Sequence, residues 1–476
     1  MAEGRNLMLP GNPRYQPPAL RPFWGYDNLY RAIGRVEIAN LRALGGIGVI
    51  PYNEIRRLTP KVCEGVLDIP TTLIDKVERT ETKHDILAWK ACANQIIPAP
   101  LNRWTHTLLT SYDPISTGQS FQFLQVHKQV VRPGLERVIK DMAEVVKLQA
   151  HQLQCGRTHG QAALPITVGF WIATILSRVM YNAKKMDACA KDLVGCISGA
   201  VGAYNAQVGL GIMAKCGEES YENRVLGRLG LRAGPISTQI VAPETLAYYL
   251  QACCMQSAAL GQFGRDCRHL MRSEIGEVSE AGGSSSTMAH KTNPTTFENT
   301  EGMWHRNRNE IGKVWDTLIS EHQRDLVGSS LLRDLPIIVV NLVVQIDTLL
   351  KKAGDPGAEL TFLERIVVHP EACVKNFEKF AHLVLSEPLY IALQMAGYRG
   401  NGHTLVNKIL TPRAKESGRH LVDELRLLAE TDAEAEEALD NMPVEVFRLL
   451  RKPEEYTGLA PKLAMQTYER AMAFKF

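Results

Sequence analysis

The stretch LPIIVVNLVVQIDTLL, residues 335–350, decides the architecture. It is the most apolar run in the chain, yet it carries Asn341, Gln345 and Asp347. By itself it is too short to span a bilayer, which takes about 20 apolar residues. A helix that is apolar on most sides must be surrounded by other elements. The run therefore predicts a helical bundle and points to an oligomer core.

Its neighbours carry the same message. Apolar residues recur at helical spacing in 27–48, 120–152, 242–277 and 300–322, and residues 165–193 read as a long helix after Pro165. Pro133-Gly134 predicts a bend within 120–152. Pro243 suits a first helical turn, and Glu244 favours a helix N-terminus. Alternating strand patterns are scarce. The expected fold is all-α, with three helical regions: 1–112, a central long-helix bundle over 113–365, and 366–476. The acidic run 429–441 reads as a solvated helix face.

Composition narrows the function classes. The chain has 476 residues and a formal charge of +3, with no basic tract, which excludes a nucleic-acid or membrane-surface protein as the first expectation. Ten cysteines are scattered without a C-x-x-C pair, a pattern that fits a reducing cytoplasm rather than a disulfide framework or zinc site. The first eighteen residues lack the apolar core of a signal peptide.

Polar clusters interrupt the helices at 81–85 (ETKHD), 109–117 (LLTSYDPIST), 156–167 (GRTHGQAALPIT), 198–205 (SGAVGAYN) and 236–239 (ISTQ). Helix ends in a bundle converge, and their free N–H groups favour anions. Singly, each cluster reads more readily as caps and turns than as a site. The most unusual is GGSSSTMAHKTNPTTFENTEGM, 282–303, where small and polar residues replace helix formers. A linker and a lid carrying chemistry are both compatible with that composition.

Taken together and in this order, the clusters resemble the fumarase/aspartase superfamily, whose members cleave C–N or C–O bonds and release fumarate or a close analogue. SSSTMAHKTNP is similar to its G-S-S-x-M-P-x-K-x-N-P signature, with Ser284 in place of Gly and Ala289 in place of the first Pro. Within the superfamily, Arg14-Tyr15, TKHDI, RTHGQAALPITVG, SGAVGAYN, FENTEG and QRDLVGSSLLRDL resemble the adenylosuccinate lyase family. Two positions depart from it: Tyr112 stands where T-S-S-D is usual, and Pro243 stands where an Arg is usual.

The resemblance implies β-elimination of fumarate from adenylosuccinate to give AMP, and from the succinyl-aminoimidazole carboxamide ribotide, in purine nucleotide biosynthesis. It implies Ser285 as base, His159 as general acid with Glu298 as its carboxylate partner, and Lys291 and Asn293 on the succinyl carboxylates. His84 would touch the substrate and assist the acid, beside Asp85. Arg14, Tyr15, Arg324, Ser329 and Arg333 would hold the nucleotide. Thr110, Ser111, Thr158, Gln239, Ser286 and Met288 would complete the pocket. The residue chemistry is consistent: an imidazole holds and releases a proton near neutrality, and a guanidinium fork suits phosphate. A free serine hydroxyl is a weak base, so Ser285 would need N–H donors and a cation to stabilise its oxyanion. The resemblance further implies a cytoplasmic homotetramer with sites shared between subunits, acting on a small nucleotide, with no metal or organic cofactor. The alternatives are a superfamily lyase acting on another succinyl or muconate-type substrate, and a non-catalytic structural homotetramer.

Overall fold

A computed structural model describes residues 15–281, 287–288, 290–353 and 359–476. The N-terminal region contributes α1 (Arg31–Gly46) and α2 (Asp85–Ile96). α1 is buried on most sides, with Val36 through Leu41 all inside, and packs on α3 (Tyr112–Val126). α3 continues through a wide π-turn, His127–Val131, into α4 (Arg132–Leu148). Pro133 lacks an N–H and its ring crowds the carbonyl one turn back, so the ladder loosens just ahead of it. In place of the bend expected at Pro133-Gly134, the structure has this π-turn one turn earlier. Gly134 serves packing instead: a Cβ there would sit 2.7 Å from Ile346 Cγ2.

A β-hairpin follows, β1 (Leu153–Thr158) and β2 (Gln161–Thr167), antiparallel with an irregularity between Cys155 and Arg157. The long helix expected over 165–193 is present but starts three residues later than expected. Pro165 lies in the strand, and α5 (Val168–Lys191) starts where Thr167 Oγ1 accepts the Phe170 N–H at 3.1 Å.

The bundle comprises α4, α5, α6 (Glu244–Leu270), α7 (Thr295–Asp316) and, after the short α8 (Ser329–Leu332), α9 (Pro336–Leu349). α6 touches α5, α7 and α9. Two glycines let α7 approach α6: a Cβ on Gly261 would meet Trp304 Cβ at 2.7 Å, and one on Gly264 would meet the Phe297 carbonyl at 2.7 Å. α9 is buried along Ile337–Val343, as its all-round apolarity requires. Its polar residues pair across the core. Asn341 Nδ2 donates to Asn307 Oδ1 at 2.8 Å, and Gln345 Nε2 donates to the Thr300 carbonyl at 2.7 Å. Counted back to Ser329 the helical run reaches 21 residues, long and apolar enough to cross a membrane. Its partners within the bundle account for that apolarity.

α10 (Pro370–Ala381) packs on β1, and α11 (Ala460–Met472) returns to α4 and α5. Between them, residues including Leu389, Leu393, Val406, Leu410 and Leu425 form a second, smaller core. All ten cysteines are free thiols, nine of them buried.

Candidate active site

Local chemistry places His159. The hairpin turn is His159-Gly160, with φ of +54° and +75°. Both residues are left-handed, the turn geometry whose twist matches paired strands. His159 therefore stands exposed at the tip, next to exposed Thr158. The first strand of the hairpin is held along its length by Glu277, which is fully buried. Arg157 Nη2 donates to Glu277 Oε1 at 2.6 Å and Nη1 to Oε2 at 3.1 Å. Gln154 Nε2 and Asn376 Nδ2 donate to the same carboxylate at 2.9 and 3.0 Å. Four donors match the lone pairs of an ionised carboxylate, which is what allows it to be buried.

A second group gathers at the start of α3. Asp113 is fully buried and accepts the backbone N–H of Thr110 at 2.7 Å and those of Ser198 and Gly199 at 2.9 and 3.3 Å. Burial pushes its carboxyl up to about 6, against the opposing pull of these N–H groups. The Asp113 carboxylate thereby ties the 109–117 and 198–205 clusters together. Ser198 and Ser237 share a hydrogen bond at 2.8 Å, while Gln239 donates its N–H to Gln323 O at 3.3 Å and Nε2 to Ala200 O at 2.8 Å. Next to Gln323, Arg324 lies face-on to the Tyr112 ring, 3.3 Å from its centroid. Arg324 Nη2 donates to Ser329 Oγ at 3.1 Å, and Tyr112 Oη shares a 2.6 Å hydrogen bond with that same Oγ. Ser111 directly precedes α3, and Arg333, exposed, follows α8.

The loop cluster is anchored at both ends. Glu280, buried, accepts the Phe297 N–H at 2.9 Å, which pins the segment before the loop to the first turn of α7. Lys291 is exposed; its backbone N–H donates to Met288 O at 3.1 Å. Asn293 is half-buried, and Glu298 is exposed in the first turn of α7. Ser285 and Ser286, like Arg14, lie outside the described residues, and so do Ser284 and Ala289. His84 is exposed, with Nδ1 3.2 Å from Asp85 Oδ1, and Tyr15 is exposed.

Thr110, Ser111, Gln239, Arg324 and Ser329 are thus brought to one corner, while His159 stands on the hairpin, Lys291 and Asn293 on the loop, and Glu298 in the first turn of α7. No hydrogen bond or ion pair joins His159 to Glu298 within the described residues of one chain. Arg324 and Arg333 differ in setting: the first is turned onto Tyr112, the second is exposed. Sequence reasoning missed Asp113, Arg157, Glu277 and Glu280 as supports of the site. Asp113 follows the noted TSY, and Arg157 opens the noted RTHG, but neither signal says which distant partner each would meet.

Residues 39–306 match the family described as "Lyase". An adenylosuccinate lyase of Methanothermobacter thermautotrophicus is 30% identical over 96% of this chain and 97% of its own length. The chain belongs to the fumarase/aspartase superfamily of lyases. A second relative of this lyase, the adenylosuccinate lyase of Bacillus subtilis, is 28% identical over 80% of this chain and 83% of its own. Among solved structures, the 3-carboxy-cis,cis-muconate lactonizing enzyme of Pseudomonas putida shares the lyase's fold with a TM-score of 0.76. It is 21% identical and covers 96% of this chain and 98% of its own. A fumarate lyase from Mesorhizobium sp. BNC1 has the same TM-score at 20% identity, over 96% and 98% of the two chains.

Proposed function

We propose that this lyase splits adenylosuccinate into AMP and fumarate by β-elimination, and acts likewise on the succinyl-aminoimidazole carboxamide ribotide of purine synthesis in the cytoplasm. The observation that carries this reading is the pairing of Arg324 with Ser329 at 3.1 Å, in the corner formed with Thr110, Ser111 and Gln239. A guanidinium and a hydroxyl set together suit a nucleotide phosphate. The full-length likeness to adenylosuccinate lyases supports the same substrate.

The chemistry assigns the remaining groups. Ser285 removes the proton beside a succinyl carboxylate, and negative charge develops on that carboxylate. Lys291, exposed on the loop, meets this charge, and Asn293 holds the second carboxylate. Fixed donors aimed at developing charge supply much of such a rate enhancement. His159 delivers a proton to the departing purine nitrogen. His84, with Asp85 against it, contacts the substrate.

In this reading the assembly is a homotetramer whose sites combine the hairpin, loop and corner of different subunits. Glu298 then reaches His159 across a subunit boundary, in keeping with their lack of a bond within one chain. The exposed Tyr181, Tyr248, Met255 and Trp315 on the long helices supply apolar surface for that assembly.

The test is fumarate release from adenylosuccinate by the purified protein. Release at enzymatic rates, abolished in Ser285→Ala, is expected; no release sinks the proposal. Pro243 at the start of α6, where an Arg is usual in adenylosuccinate lyases, favours a second reading, a succinyl or muconate-type substrate without phosphate. Faster turnover of the dephosphorylated substrate would support it.

A further inference from the structure

Tyr112, Arg324 and Ser329 form a closed set of three that joins the start of α3 to the segment before α8, across 217 residues of sequence. Each pair in the set is in contact. The guanidinium stacks on the phenol ring at 3.3 Å, the guanidinium donates to Ser329 Oγ at 3.1 Å, and the phenol hydroxyl meets that Oγ at 2.6 Å. Stacking on an aromatic face restricts how a guanidinium can turn, while leaving its in-plane N–H groups available. The hub is a hydroxyl, which can donate as well as accept. Arg324 Nε is buried with no hydrogen-bond partner, so one further donor in this set is unsatisfied. One of the two hydroxyl hydrogens is engaged in the Tyr112–Ser329 bond, so the three side chains present one O–H and guanidinium N–H groups around one point, without a carboxylate in the set. That is the donor pattern of an oxyanion receptor.

We propose that Tyr112 is a specificity-determining residue: its ring and hydroxyl hold Arg324 and Ser329 as a preassembled receptor for a substrate phosphoryl group. The inference rests on the reading above that Arg324 and Ser329 face the nucleotide phosphate, and it adds the role of Tyr112. A serine at position 112 could neither cover the guanidinium face nor span the distance to Ser329. Arg324 would then have to be ordered by the substrate itself, at the cost of affinity.

The test compares wild type with Tyr112→Phe, which keeps the ring, and Tyr112→Ser, which loses both ring and hydroxyl. With adenylosuccinate, KM is expected to rise about threefold in the first and at least about tenfold in the second, while kcat changes less than about threefold. With the dephosphorylated analogue, KM should be the same in all three proteins. An unchanged KM in Tyr112→Ser, or an equal rise for both substrates, overturns the inference while leaving the proposed reaction standing. Calorimetric titration with inorganic phosphate gives a readout that needs no turnover. Wild type should bind it at least about tenfold more tightly than Tyr112→Ser; equal or tighter binding by the variant overturns the inference. Absence of fumarate release by wild type would instead remove the proposed reaction, and the phosphate titration would still decide the role of Tyr112. Circular dichroism of the same samples establishes that each variant is folded.

Discussion

Arg157 holds Glu277 with both prongs of its guanidinium, at 2.6 and 3.1 Å, and so fixes the hairpin two residues before its tip, His159. Glu277 also lies five residues before the glycine that opens the loop cluster. Two of the three site regions are therefore referenced to one buried carboxylate.

Removing Arg157 would leave that carboxylate buried with half its donors. Arg157→Leu is expected to cost on the order of 3–5 kcal/mol of stability, read by denaturant unfolding. Arg157→Lys keeps the charge but not the fork, so it should fold and lose turnover through displacement of His159. Wild-type turnover in Arg157→Lys would show that the fork does not position the hairpin.

His159 occupies a left-handed turn position, with φ +54°, followed by Gly160. Asparagine tolerates that conformation, and Asn-Gly is a favoured pair for this turn. His159→Asn should therefore melt within a few degrees of wild type while turnover falls roughly 10²–10⁴-fold, the contribution of a general acid. An active variant, or a large loss of melting temperature, would contradict the assignment of His159 to chemistry rather than structure.

The α6–α7 contact depends on absent side chains. Gly264→Ala would place a Cβ 2.7 Å from the Phe297 carbonyl, a backbone atom that cannot step aside. A loss of about 1–3 kcal/mol is expected. Gly302→Ala, where a Cβ meets nothing within 4 Å, is the matched control and should be neutral or stabilising in a helix. Equal melting temperatures for the two variants would refute this account of the packing.

Asp113 gives a pH signature. Its carboxyl is raised from 3.8 to about 6 by burial, so the folded chain holds a proton there that the unfolded chain has released. Between these values, stability contributed by this group is present at low pH and falls as pH rises. The stability difference between wild type and Asp113→Asn should thus favour wild type more at pH 5 than at pH 7.5. A difference independent of pH would show that Asp113 does not titrate in this window.

The sequence by itself determined the helical class. An apolar run such as 335–350 can be satisfied only inside a bundle, and the clusters that carry chemistry were legible because small and polar residues break helical periodicity there. Tertiary structure decided what those patterns leave open. Residues 153–167 became a hairpin because Thr167 caps the following helix and a left-handed His-Gly pair closes the turn, neither of which produces an alternating pattern. Asp113, Glu277 and Glu280 became supports of the site through partners at separations that no local motif encodes. Tyr112 was visible as an unusual residue, but its place under Arg324 required the fold to bring α3 against the segment before α8. Local propensity reads over a few turns of helix; an ion pair or a stacked ring depends on which distant surfaces the core packs together.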